Sequence, residues 1–271
     1  MAALQTVILQ LAEAGRTVVE RGLVLASGGN LSARLDDGTF VVTASGTWLD
    51  RLTDEDFSVI DTEGSVVAGN PRPSVEWKLH HHTYAARRDV TAVVHLHPQH
   101  VLLVDMLGHP IRCTTLDHAF YLGSVARVPF RPAGSEEIAA LASEAVSDGT
   151  NAVVLAHHGC SALGDSVPMA LRRAMNLEEA ATMTYRLLLA GDTDSDDFEA
   201  VSAELSTAIT DSEVIDGTAG EAAVRHLSTR LAIDELAVRL RRMILKAAAG
   251  GQISAGSKFA LAQRIEGVRA S

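Results

Sequence analysis

Ala92-Val93-Val94-His95-Leu96-His97 is an apolar run carrying two histidines, and the architecture can be built outward from it. Alternate side chains of an extended strand share a face, so His95 and His97 stand side by side while Val94 and Leu96 point the other way. Two imidazoles at a strand end form half of a divalent-metal site, because imidazole nitrogen is the commonest protein ligand for such ions. The pair by itself is weak evidence. It gains weight from Glu76 upstream and from a second histidine-bearing strand end, His157-His158-Gly159, downstream. His95, His97 and His158 are therefore the expected metal ligands. Glu76 is expected to act as the acid/base group, or as a fourth ligand displaced by substrate. Zn2+ suits three such ligands with open positions, and Fe2+, Mn2+ or Co2+ are compatible.

Outward from this strand, apolar spacing predicts a first amphipathic helix through Leu4, Val7, Ile8, Leu11, Val18 and Val19, ending near Gly22. Ser27-Gly28-Gly29-Asn30 makes a tight turn into a strand at Leu31, Ala33 and Leu35, and Asp36-Asp37-Gly38 signals a hairpin to Thr39–Thr43. A second hairpin is expected around Thr62-Glu63-Gly64. Ser74 is placed to cap a helix to about Arg88 with Glu76 in its first turn, where the dipole favours a carboxylate. Pro98 starts the next helix. Val125–Phe130 and Asn151–His157 read as strands, Ser135 as a helix cap, and Val167–Leu189 as a long helix. Hairpins beside strand–helix units predict an α/β fold: three layers, α/β/α, around a mixed and mainly antiparallel sheet.

The chain has 271 residues, 47% of them hydrophobic, which is ample for a core. A net charge of −11 disfavours nucleic-acid binding. No run approaches the roughly 18 apolar residues of a membrane span. Cys113 and Cys160 are too few for a disulfide framework. Cys160 follows His158-Gly159, but a small buried thiol is its simpler role. With no signal pattern at the N-terminus, a cytoplasmic protein acting on a small-molecule substrate is expected.

Aldol-type cleavage needs a Lewis acid that grips a carbonyl and the neighbouring hydroxyl and stabilises the enediolate charge left behind. It also needs a carboxylate to move a proton. His157, pointing away if its strand continues, is expected to pack, and His100 to take an outer role. His80, His81 and His82 diverge around a helix, so at most one of them approaches the site.

Ser27-Gly28-Gly29-Asn30-Leu31-Ser32, Thr43-Ala44-Ser45-Gly46, Pro73-Ser74-Val75-Glu76, His95-Leu96-His97 and His158-Gly159 occur in the order and spacing of the class II aldolase/adducin family. Over roughly residues 5 to 210 the chain resembles the branch holding L-fuculose-phosphate aldolase and L-ribulose-5-phosphate 4-epimerase. The resemblance implies the layered fold, a zinc-type ion on the three histidines, Glu76 as acid/base, and a cyclic homotetramer with sites between subunits. It places phosphate binding on Gly29, Asn30, Ser45, Gly46 and Ser74, where backbone N–H groups and hydroxyls can close on an anion.

Three departures bear on the substrate. Val75 replaces the second serine of the sugar-phosphate enzymes. The C-terminal tyrosine lent by a neighbouring subunit has no counterpart, the tyrosines being Tyr84, Tyr121 and Tyr185. Thr114–Tyr121 resembles the epimerase segment with a catalytic aspartate, but His118 falls on that position and Asp117 precedes it, so both are candidate proton donors. A same-fold decarboxylase, epimerase or non-haem iron oxygenase is the alternative reading, and a non-catalytic adducin-like scaffold the third. The family-like domain is expected over residues 1–210. Residues 211–271 are expected to form a helical extension packing on the core or a neighbour, with arginines from Arg225 to Arg242 along it.

Overall fold

The computed structural model describes residues 2–192. The expected boundary at 210/211 and the C-terminal extension lie outside them. Chain order gives α1 (Ala2–Glu20), β1 (Asn30–Arg34), β2 (Phe40–Thr43), β3 (Phe57–Ile60), β4 (Val66–Gly69), α2 (Trp77–Ala86), β5 (Ala92–Leu96) and α3 (Gln99–Met106). These are followed by α4 (Leu116–Tyr121), β6 (Ala126–Val128), α5 (Glu136–Ala145), β7 (Ala152–Leu155), β8 (Gly159–Gly164) and α6 (Val167–Leu189).

The strands form one sheet of eight in the order β4-β3-β2-β1-β5-β8-β7-β6. Every pairing is antiparallel except β6 with β7. This is the expected mixed, mainly antiparallel sheet. Period-two alternation along β5 divides it between two cores. Ala92, Val94 and Leu96 pack with Leu11 and Val18 of α1 and Ala170 and Ala174 of α6, while Val93 packs with Leu79 of α2 and Ile138 of α5. Leu11, Leu31 and Leu96 are completely buried, each contributing about 1.5–3 kcal/mol by leaving water. His95, in phase with Val93, is thereby turned towards α2.

Two expectations are corrected. The 151–157 strand stops at Leu155, and a further strand, β8, turns back from it and occupies the place beside β5. Ser74 does not cap α2. Its Oγ accepts the Glu76 N–H at 3.3 Å, and the helix starts at Trp77 with Glu76 at the N-cap position rather than in the first turn. The Glu76 side chain is drawn into the site instead. Ser135 and Ser166 do cap, accepting from Ile138 N and Met169 N.

Gly15 gives a sharp test of how α1 packs. A Cβ there would lie 2.3 Å from the Leu49 carbonyl oxygen, in the short turn Leu49–Arg51. Gly→Ala in a helix ordinarily gains roughly 0.5–1 kcal/mol. Here overpacking against backbone outweighs it, so Gly15→Ala is expected to lower stability by about 1–3 kcal/mol in chemical denaturation. An increase in stability would contradict the packing of α1 on this turn.

Candidate active site

The site forms where β1, β5 and the β7–β8 turn end beside the start of α2. Antiparallel register sets Asn30 opposite His95, and His95 opposite Ser161. His97 follows β5 directly, and Pro98, in extended conformation, opens α3. His158 sits in a tight turn that closes by pairing Leu155 with Gly159. In that turn His157 takes a left-handed conformation, φ 57°, which a non-glycine residue holds only when its surroundings enforce it. The enforcing group is Asp105, a buried residue of α3. One of its oxygens accepts the His157 N–H at 2.9 Å and the other accepts Arg127 Nε at 2.6 Å. His157 is thus the hinge of the turn, not the continuation of a strand.

Glu76, His95, His97 and His158 each offer a ligand atom within 4.8 Å of the others. His95 Nε2 is 3.1 Å from His97 Nε2 and 3.2 Å from Glu76 Oε2, and His158 Nε2 is 3.0 Å from Glu76 Oε1. Tetrahedral coordination with bonds of about 2.0–2.1 Å separates ligand atoms by roughly 3.3 Å. These separations fit such an ion. So does the accounting of protons. Glu76 Oε1 is buried and accepts no hydrogen bond from the described residues, despite His158 lying beside it. Three lone pairs and a carboxylate aimed at one point call for a cation between them. A His95 ring bound through Nε2 carries its proton on Nδ1, where Ser161 Oγ accepts it at 3.2 Å.

Glycines make room for the rings. A Cβ on Gly159 would stand 2.5 Å from His97 Cδ2 and 2.4 Å from the Leu96 carbonyl oxygen, and one on Gly28 would stand 3.1 Å from His97 Nδ1. Burial raises the Glu76 carboxyl, but the adjacent His95 and His158 outweigh that and hold it well below the usual carboxylate range. His97 is pushed down to about 4 by burial and by repulsion from His95 and His158. Burial pushes His80 down to about 3.

The remaining expected residues divide. Asn30 Nδ2 donates to Glu76 Oε2 at 2.9 Å, joining it to the metal-type cluster. Gly29, φ 72°, sits against the His95 carbonyl. The Ser45-Gly46 and Ser74 loops are clasped together by Ser45 N to Arg72 O, Ser74 N to Thr43 O and a bridge between Ala44 and Pro73. Ser45 and Gly46 lie at the surface, and Gly46, φ 78°, has open space around it. Val75 is 66% exposed. His118 and Asp117 lie elsewhere. His118 is buried, with Nδ1 accepting from Thr114 N at 3.3 Å and Nε2 3.7 Å from Glu179 of α6, while Asp117 is exposed on α4. His100 pairs with Glu178 at 2.7 Å. Cys160 is completely buried, its thiol pushed up by burial. Of the three consecutive histidines, His80 is fully buried and hydrogen-bonds Asn30, whereas His81 and His82 bond Thr62 O and Glu136.

The sequence profile described as "Class II Aldolase and Adducin N-terminal domain" matches residues 9–185. The chain belongs to the class II aldolase and adducin family. A relative from Rhodospirillum rubrum, named 5-methylthioribulose-1-phosphate/5-deoxyribulose-1-phosphate aldolase, is 36% identical over 66% of this chain and 80% of its own. A 3-oxo-tetronate 4-phosphate decarboxylase from Haemophilus influenzae is 32% identical over 65% of this chain and 86% of its own. Among solved structures, the L-fuculose-1-phosphate aldolase of Thermus thermophilus superposes with a TM-score of 0.62 at 28% identity, covering 70% of this chain and 98% of that one. Among the described residues no helix is long and apolar enough to cross a membrane.

Two outcomes follow from the geometry of this cluster. Gly159→Ala must displace His97 or the Leu96 backbone, so it is expected to lower bound metal measured by elemental analysis. Full metal content would contradict this packing. In chelator, His80 and His97 stay neutral in the fold while the unfolded chain protonates near 6.5, so the unfolded state binds more protons as pH falls. Denaturant stability of the metal-free protein is expected to be greatest above about pH 6.5 and to fall towards about 4. A flat profile would contradict the burial of these rings.

Proposed function

We propose that the chain is a metal-dependent lyase of the class II aldolase type. It cleaves a C–C bond next to a hydroxyl in a sugar phosphate or hydroxy-oxo acid. The observation that carries this is the convergence of His95, His97 and His158 with Glu76. Bound there, a zinc-type ion supplies Lewis-acid polarisation of a carbonyl and its neighbouring oxygen.

The protein's own part is proton movement and grip. Glu76 Oε2 is tied to Asn30 Nδ2, which leaves Oε1 as the oxygen that takes the substrate hydroxyl proton. As that proton leaves, the C–O bond becomes a carbonyl, the C–C bond breaks, and its electron pair moves onto the retained fragment. Protonation of that fragment completes the cycle. Gly29, Asn30, Ser45, Gly46 and Ser74 hold the far end, where Ser45 and Gly46 meet solvent. Two features support a cyclic homotetramer with sites between subunits. Leu116 and Phe120 of α4 are 48% and 52% exposed, and they flank Asp117 and His118, which do not reach the cluster of their own chain. The proton donor of the neighbouring subunit's site is assigned to this segment. A cytoplasmic setting, with Cys113 and Cys160 reduced, completes the reading.

A decarboxylase is the second reading, favoured by the Haemophilus relative. Loss of CO2 from a 3-oxo acid leaves its electron pair at the same place as aldol cleavage does, so the same cluster serves both.

The test is turnover by zinc-, manganese- or cobalt-loaded protein on ketose 1-phosphates and on 3-oxo acid phosphates. Aldehyde release supports the first reading and CO2 release the second, while neither product from any of them would sink both. Glu76→Gln is expected to keep metal and lose turnover by about 10²–10⁴-fold. His97→Ala is expected to lose metal and turnover together. Retained metal in the latter would contradict the ligand assignment.

A further inference from the structure

Five buried polar side chains, Glu76 among them, stand in single file between β1 and the α2 segment. α2 and the residue before it contribute Glu76, His80 and Tyr84, four residues apart and so on one helical face, and β1 contributes Asn30 and Ser32, two apart and so on one strand face. The contacts alternate between the two elements. Asn30 Nδ2 lies 2.9 Å from Glu76 Oε2, Asn30 Oδ1 meets His80 Nε2, Ser32 Oγ is 2.6 Å from His80 Nδ1, and Ser32 Oγ is 2.6 Å from Tyr84 Oη.

We propose that His80 is a positioning residue, held as its Nε2–H tautomer, that locks the Asn30 amide with its N–H edge on Glu76. The inference rests on the reading of Glu76 as the proton-carrying group. Its logic is a count of donors and acceptors. A carboxylate only accepts, so the Asn30 edge facing Glu76 is the NH2 and the edge facing His80 is the carbonyl. That carbonyl only accepts, so His80 Nε2 donates. His80 Nδ1 is then a lone pair, and the single proton of Ser32 goes to it. Ser32 Oγ must therefore accept from Tyr84. Each assignment forces the next, and none of the four links has an alternative while Glu76 is ionised.

Without His80 the Asn30 amide is oriented by Glu76 alone, and its carbonyl edge loses the donor that holds it. A flipped amide would set its carbonyl against the carboxylate, two acceptors in contact, and Glu76 Oε2 would have to move. His80 touches neither the cluster of ligand atoms nor the Ser45–Ser74 loops, and the Asn30 backbone, the part left to grip substrate, is fixed by its pairing with β5, so loss of His80 should act on the chemical step and spare metal and substrate binding. Removing an outer hydrogen-bond partner of this kind typically costs about tenfold to a hundredfold.

The test joins diffraction with kinetics on the zinc-loaded full chain. Neutron diffraction on deuterated crystals should find deuterium on His80 Nε2 and none on Nδ1, and deuterium on Nδ1 alone would overturn the proposal. His80→Phe should retain one metal ion per chain and a KM within about twofold, with kcat lower by about tenfold to a hundredfold. His80→Gln, whose amide nitrogen can replace the Nε2 donor, should recover most of that loss. In an Asn30→Ala background His80→Phe should cost nothing further, since the two act as one unit. Unchanged kcat in His80→Phe, loss of its metal, or no recovery in His80→Gln would each refute the role. Should His80→Phe fail to fold, Ser32→Ala must show the same kcat loss in smaller measure. A wild-type protein that turns over no substrate while deuterium sits on Nε2 would remove the catalytic reading and leave the amide lock standing.

Discussion

Four lone-pair atoms that would ordinarily stay apart are held within 4.8 Å of one another beside the ends of the sheet's central strands. Imidazole nitrogens and a carboxylate repel when crowded in low dielectric unless a positive charge lies between them. The rest of the molecule near this point can be understood as the scaffolding that tolerates the crowding. Register between β1, β5 and β8 fixes Asn30, His95 and Ser161 in a row across three strands. The glycines at 28 and 159 clear the space around the His97 ring. Asp105 bends the β7–β8 turn so that His158 arrives from the other side.

Glu76 shows how local propensity gives way to the site. A serine two residues before a carboxylate suggests an ordinary helix start, yet the helix begins only at Trp77. A carboxylate in the first helical turn would gain up to about 1 kcal/mol from the helix dipole. The charge-assisted hydrogen bond from Asn30 and a place among the ligand atoms claim the side chain instead.

Much of this was legible in the sequence because it rests on periods of two and four. The alternation in Ala92–His97 gave the strand and the His95/His97 pair, and the second histidine-bearing segment and the upstream carboxylate added His158 and Glu76. Three things were not legible. Gly159-Cys160-Ser161-Ala162-Leu163-Gly164 lacks β-branched residues and carries glycine at both ends, so β8 left no propensity signal. His80 was hidden in a run of three histidines that looks like a solvated face. The spacing Glu76, His80, Tyr84, set beside Asn30 and Ser32, was the signal that could have found it. Asp105 acts through backbone geometry of a turn far along the chain, which no local pattern encodes. His118 was legible as a member of a family segment but not in its surroundings, which include Glu179 of α6.

The central claim concerns where a cation sits. Anomalous diffraction at the zinc edge, on crystals of the full chain grown with zinc, measures that directly. The account predicts one strong peak per chain within bonding distance of the Nε2 atoms of His95, His97 and His158. A peak elsewhere, or three rings turned apart with only solvent between them, would contradict it.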